Sequence, residues 1–271
     1  MVKIEEFNYF EWNGKKSVDF GVFIIGKNVF SAPARSFEEN IIPGRNGSVL
    51  VDGGNYLNIP LAFDCVMIIE PDRTAAEQMQ AFKQWIYKDV AKYKPLRSSF
   101  YPLHTRMAVV NTQLDITEEN PSMQTSEYAL FFTVSFSCKP QMYLNTALEP
   151  LVTSSNTITI VNNTDNTAEP YIDLIFNTTS AGGIGFKLTL ENSFGVQIFA
   201  LSASQGATHF AFDAEAHEHI CDGLNKTLSA VSNAERLYPL LRPGENKITV
   251  ESTMQACEFT EMRIIERLWE I

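Results

Sequence analysis

The chain has 271 residues, of which 45% are hydrophobic, 20% charged and 11% aromatic, and its net charge is −11. That length suits two ordinary domains of about 150 residues, and no apolar run approaches the ~20 residues of a membrane-crossing helix, so membrane insertion is excluded. Twenty-one Lys and Arg against 32 Asp and Glu exclude a nucleic-acid binder that draws its affinity from neutralised phosphates, sequence-specific or not.

From the amino terminus, residues 1–7 lack the basic region and apolar core of a secretory leader, which implies synthesis and folding in a cytoplasm. Val18, Phe20, Val22 and Ile24 alternate with other residues and predict a strand. In 42–50, the run Ile42-Pro43-Gly44-Arg45-Asn46-Gly47 contains an Asn-Gly pair, whose access to positive φ predicts a tight turn and a protruding hairpin. Its neighbours Ile41, Ile42, Val49, Leu50 and Val51 hold more apolar surface than a solvated arm can expose, so the arm is expected to pack on something, another subunit or its own domain.

Ile59, Leu61, Phe63, Cys65 and Met67 again alternate and predict a strand. Thr74 to Glu77 then forms a capping box, and Ala75, Met79, Phe82, Ile86 and Val90 follow at helical spacing, predicting a helix over 74–90 with Lys88 and Lys92 at its carboxyl end. Lys83, Lys88, Lys92, Lys94 and Arg97, interleaved with Trp85, Tyr87 and Tyr93, read as a solvated helix face plus an amphipathic turn rather than a nucleic-acid patch. The clearest strand is 126–138, where Tyr128, Leu130, Phe132, Val134, Phe136 and Cys138 share one face and Ser135 and Ser137 the other. Phe63, Phe82, Ile86, Phe132, Val134 and Phe136 are the expected first core.

The alternation ends near Lys139-Pro140, and residues 1–145 hold 14 basic and 16 acidic side chains against 7 and 16 in 146–271. This shift predicts two domains, 1–142 and 143–271. The second reads as short strands at 157–161, 171–176, 186–190, 196–201, 209–213, 217–221 and 247–251, separated by turn residues, the pattern of an antiparallel β-sandwich. The last stretch, 262–271, is long enough for a strand that could return to either domain.

No nucleophile elbow, phosphate loop, zinc-protease or dinucleotide motif is present, so no catalytic residue, cofactor or metal site is predicted. The one cluster with metal-ligand chemistry is Asp213, Glu215, His217, His219 and Cys221. A metal-dependent hydrolase built on His217 and His219 would need these on one strand face, and a turn within 213–217 would separate them. The four cysteines, Cys65, Cys138, Cys221 and Cys257, have no C-x-x-C spacing and read as buried thiols. Sequons at Asn162, Asn177 and Asn225 read as chance occurrences.

With these segments in place the chain resembles the distal tail proteins of phages with long, non-contractile tails. Phe10-Glu-Trp-Asn-Gly14 followed by Ser17-Val-Asp-Phe-Gly21-Val-Phe-Ile resembles the family's opening of strand, turn and Gly-containing strand, and Ile42-Pro-Gly-Arg-Asn-Gly47 its hairpin. Val134-Ser-Phe-Ser-Cys-Lys-Pro140 resembles the strand closing the first domain, and Leu240-Leu-Arg-Pro-Gly-Glu-Asn-Lys-Ile248 a turn late in the second.

The resemblance implies a mainly β, non-enzymatic structural virion protein of the distal tail tip: a β-rich ring-forming domain with one helix, then a galectin-like sandwich. It further implies a homo-oligomer, a hexameric ring with a channel for DNA. Implied partners are the tail tube protein, the tail-associated hub or fibre protein and, in some phages, receptor-binding proteins. Residues 42–47 become a candidate subunit interface. The alternative is a carbohydrate-binding module contacting the cell wall through the second domain, with Tyr171, Phe194, Phe199 and Tyr238 as candidate sugar platforms.

Overall fold

A computed structural model describes residues 8–27, 30–88, 92–110, 113–114, 116–120, 129–178, 183–205, 207–222, 224–225, 230–232, 237–254 and 257–271. Val90 and Tyr128, named above, lie outside them. The chain is mainly β and divides into two compact units, 1–142 and 143–270, with Ile271 grouped with the first.

The first unit runs β1 (Phe10–Trp12), β2 (Lys15–Lys16), β3 (Val22–Lys27), β4 (Arg35–Ile41), β5 (Ser48–Tyr56), β6 (Ile59–Ile68), α1 (Ala75–Ile86), β7 (Lys94–Ser98), β8 (Tyr101–Val110), β9 (Ile116–Asn120) and β10 (Ala129–Leu144). Its main sheet has the order β2-β1-β7-β8-β10-β6-β3, with β9 also on β10, and β4 and β5 form a sheet of their own. Strict alternation places Leu130, Phe132, Val134, Phe136 and Cys138 of β10 and Ile59, Leu61, Phe63, Cys65 and Met67 of β6 in the core, as their sequence period requires.

Helix α1 covers that face. Phe82 packs on Phe132 at 5.4 Å between ring centroids, and Trp85 stacks on Phe10 at 5.8 Å and donates its indole N–H to the Trp12 carbonyl at 3.1 Å. The capping box is present: Thr74 Oγ1 accepts from the Glu77 N–H and the Glu77 carboxylate accepts from the Thr74 N–H, which holds Glu77 below its usual carboxylate pKa. Thr74→Ala is expected to cost about 1 kcal/mol in the urea unfolding of the first unit.

Three expectations need correction. Val18 and Phe20 are not in a strand but in a 3₁₀ turn, Ser17–Phe20. The buried Ser17 hydroxyl accepts from the Phe10 N–H, Asp19 accepts from the Lys16 N–H, and Gly21 ends the turn at φ 69°. Gly21 also sits where a Cβ would lie 2.5 Å from Gln78 Nε2 and 2.7 Å from the Ile68 carbonyl oxygen. Phe20 still reaches the core edge, stacking on Trp85 at 4.5 Å. Second, α1 ends at Ile86, short of the predicted 90, with Tyr87 as its cap. Third, β10 does not stop at Lys139-Pro140 but continues to Leu144. The ladder with β6 ends at Cys138, so Pro140, which lacks an N–H, interrupts no bond to β6.

The second unit contains β11 (Leu151–Thr153), β12 (Thr157–Asn162), β13 (Tyr171–Thr178), β14 (Gly183–Asn192), β15 (Gly195–Gln205), β16 (His209–Asp213), β17 (Glu218–Cys221), β18 (Leu224–Asn225), β19 (Ala230–Ser232), β20 (Gly244–Ser252), β21 (Cys257–Ile265) and β22 (Trp269–Glu270). Two antiparallel sheets, β11-β21-β13-β16-β17-β18 and β12-β20-β14-β15-β19, enclose one core. All seven predicted strands exist, several of them longer than read. Residues 261–265 belong to β21, between β11 and β13 inside this sandwich.

Phe186 of one sheet touches Phe176, Phe210 and Phe212 of the other at 5.1–6.1 Å. The Pro243-Gly244 turn is stapled by Asn246, which is fully buried: its Oδ1 accepts from the Arg242 N–H, and its Nδ2 donates to the carbonyls of Arg242 and Gly244. That pairing explains why an Asn follows this turn, since a buried amide without partners would be costly. The helices of four residues or more among those described are two 3₁₀ turns and α1, and none is long and apolar enough to cross a membrane.

Candidate assembly arm and surface sites

The arm β4–β5 is built at its tip by backbone geometry. The Arg45 N–H donates to the Ile42 carbonyl at 3.2 Å across Pro43 and Gly44, and Gly44 has φ 83°. Because Pro43 cannot take a positive φ, this is a type II turn, with Pro and Gly in its two favoured central positions. The turn is therefore made by Pro43-Gly44, not by the Asn46-Gly47 pair: Gly47 has φ 80° but Asn46 does not enter the left-handed region. At the base, Arg35 grips Asp52 through two hydrogen bonds and lies over the Tyr56 ring, and this grip lowers the Asp52 carboxyl to about 2.

Register assigns the arm's faces. Phe37 opposes Asp52, Glu39 opposes Leu50 and Ile41 opposes Ser48, so Phe37, Ile41 and Leu50 share one face, while Val49 and Val51 lie on the other with Glu38 and Asn40. Ile41 is 84% exposed, Leu50 62% and Phe37 57%; Ile42 and Val51 are exposed too. Among the described residues the arm pairs with no other strand, and of its apolar side chains only Val49 is half-buried. Phe37 was not singled out from sequence. Its spacing of four from Ile41 was the available signal, since that spacing puts both on one strand face.

The His and acidic cluster of the second unit does not converge. Residues 214–217 form a turn, His217 has φ 57° and is exposed, and Asp213 faces Arg267 at 2.7 Å. His219 is buried against Phe210, Phe212 and Tyr238 and donates through Nε2 to the Leu237 carbonyl at 3.1 Å. Among the described residues no three His, Cys, Asp or Glu side chains gather as a metal site. Of the aromatic candidates, Phe199 is fully buried and cannot meet a sugar, Tyr171 and Tyr238 are half-buried, and only Phe194 is well exposed, with Arg242 over its ring.

All four cysteines are free and buried, and burial pushes the Cys65 and Cys138 thiols up to about 12, where they are inert. The Asn162 amide is buried and donates to the carbonyls of Asn166 and Leu241, so that sequon has no accessible nitrogen.

Arg267 is the charged centre of the second unit, bonded to Asp213 and 3.6 Å from Glu215. Burial would raise the Asp213 pKa, but the bonds from Arg267 and the Ala216 N–H outweigh it and the net shift is downward. A carboxylate whose pKa is lowered on folding contributes stability above its unfolded value of about 3.9, lost as pH falls through the folded value. Arg267→Ala is therefore expected to destabilise the protein at neutral pH, with the gap to wild type narrowing below about pH 4 in thermal scans.

No family model and no curated protein sequence matches the chain. The fold, in contrast, is that of a solved phage protein. The crystal structure of SPP1 Dit, called a paradigm of hub adsorption apparatus in phages infecting Gram-positive bacteria, aligns over 95% of this chain and 97% of its own, with TM-score 0.61 and 12% identity. The phage P2 baseplate in its activated conformation with Ca aligns over 97% and 98%, with TM-score 0.49 and 8% identity.

Proposed function

We propose that the chain is a distal tail protein, the structural component that forms a ring at the end of a long, non-contractile phage tail and joins the tail tube to the tail-tip hub or fibre. The observation that carries this reading is the single alignment with SPP1 Dit through both units, over 95% of this chain. Sharing a β-sandwich alone would say little, because such folds host many functions. Sharing both units, in the same order and over nearly the full length of each chain, is far more restrictive.

In this reading the protein is a non-enzymatic part of the virion, made in the host cytoplasm. Six copies of the first unit form the ring, and DNA passes through its channel. A net charge of −11 suits a conduit that must not retain a polyanion. The tail tube protein docks on one side and the hub or fibre protein on the other, with receptor-binding proteins a further partner at the periphery. Arm residues 42–47, with Ile41 and Leu50, bury their apolar side chains on the adjacent subunit.

The test is electron microscopy and mass measurement of the purified full chain. A sixfold ring with a central hole is expected. A protein that stays monomeric at every concentration, alone and with a tail tube protein, would refute the assignment.

A further inference from the structure

A small open cleft in the first unit is walled by Arg97, Ser98, Tyr101, His104 and Arg106 over an apolar floor that includes Leu96. Strand register explains why both arginines line it. Leu96 pairs with Arg106 and Ser98 with Tyr101, and the ladder is irregular between Leu96 and Ser98. Such an irregularity takes Arg97 out of strict alternation.

Arg106 is only 8% exposed, yet the one hydrogen bond its guanidinium makes among the described residues is from Nη1 to the Pro140 carbonyl at 3.1 Å. A guanidinium offers five N–H donors, and a buried cation normally has a counter-charge. None of the described residues lining the cleft is acidic. Arg97 uses Nε on Thr105 Oγ1 at 2.8 Å, which leaves its terminal nitrogens for another acceptor.

Next to the cleft wall, Phe30 is 69% exposed and packs edge-on against Tyr101 at 5.8 Å, and Leu103, two residues further along β8, is 71% exposed. Arg and Tyr beside exposed apolar side chains is the composition of a protein–protein hot spot. The chain itself has 32 acidic side chains.

We propose that this cleft is an oxyanion site that takes the carboxylate of an acidic side chain from a second copy of the chain, with the Arg97 and Arg106 guanidiniums as donors. The identity of the occupant rests on the self-assembly reading above; the oxyanion chemistry of the cleft does not.

Two measurements on the full chain test it separately. In the first, acetate or inorganic phosphate is compared with chloride at equal ionic strength. Wild type is expected to melt about 2–4 °C higher in the oxyanion at roughly tenfold its dissociation constant, and Arg106→Met to show no rise. In the second, sedimentation is expected to show self-association weakened at least about tenfold by Arg106→Met, with phosphate competing in wild type only. If Arg106→Met does not fold, Arg97→Gln serves in both measurements.

Equal melting shifts in wild type and variant, or none in either, would overturn the oxyanion site whatever the oligomeric state. A variant-sensitive melting shift with unchanged self-association would overturn the second copy as occupant. Failure of wild type to self-associate at all would count against the assembly reading, and the first measurement would still decide the chemistry of the cleft.

Discussion

Leu50→Asp, alone or with Ile41→Asp, is expected to abolish ring assembly while leaving the protein folded. Leu50 and Ile41 are 62% and 84% exposed and share an arm face with Phe37, so within the chain they stabilise almost nothing. Buried on a neighbouring subunit, each would contribute roughly 1.5–3 kcal/mol, and a carboxylate in its place would add a desolvation cost. The sum exceeds the ~2.8 kcal/mol that corresponds to a hundredfold change in dissociation constant. Sedimentation and electron microscopy should therefore show at least about a hundredfold weaker association, with the melting temperature essentially unchanged. Rings of native stability from the double variant would show that the arm is not an assembly element. A large drop in melting temperature would instead show that it packs on its own unit.

Phe186→Ala is expected to cost about 3–5 kcal/mol in the second unit. Phe186 is fully buried, and its ring reaches Phe176, Phe210 and Phe212 across the sandwich, so truncation leaves a cavity that both sheets border. Closing that cavity would require the sheets to approach, which a close-packed interior resists. Hydrogen exchange should show faster opening of the amides of β13, β14 and β16, and the urea midpoint of this unit should fall. A cost below about 1 kcal/mol would mean that the two sheets repack independently of this side chain.

The residues that were easiest to read were those whose period and environment agree. The alternation in β6 and β10 placed Phe63, Phe132, Val134 and Phe136 correctly, and they are buried. Thr74 and Glu77 announced the start of α1 because a capping box is a local, reciprocal pair. Its end was misplaced because Val90 continued the apolar spacing, whereas the helix stops at Ile86. Val18 and Phe20 misled for a similar reason. Their spacing of two fits a strand, but Ser17 and Asp19 supply side-chain acceptors that favour a turn.

Much of the candidate site was visible as composition but not as geometry. The apolar flanks of the hairpin were evident from sequence. That Pro43-Gly44 rather than Asn46-Gly47 makes the turn followed only from the backbone, since both dipeptides are turn formers and the choice depends on which carbonyl the Arg45 N–H meets. The Arg97 and Arg106 cleft left no local signal at all. That both arginines line it depends on the pairing of β7 with β8 and on an irregularity within that pairing.

The sequence by itself determined the mainly β character, the single long helix, the free buried thiols and the named members of the first core, because each follows from local period, capping or burial preference. Only the tertiary structure decided which strands are neighbours, that the arm strands pair with no other strand among the described residues, that His217 and His219 both pack on Tyr238, and that two arginines line a cleft with no carboxylate among its described residues. Those outcomes are set by contacts between residues far apart in the chain. Strand alternation says which face a side chain occupies, but not what lies opposite it.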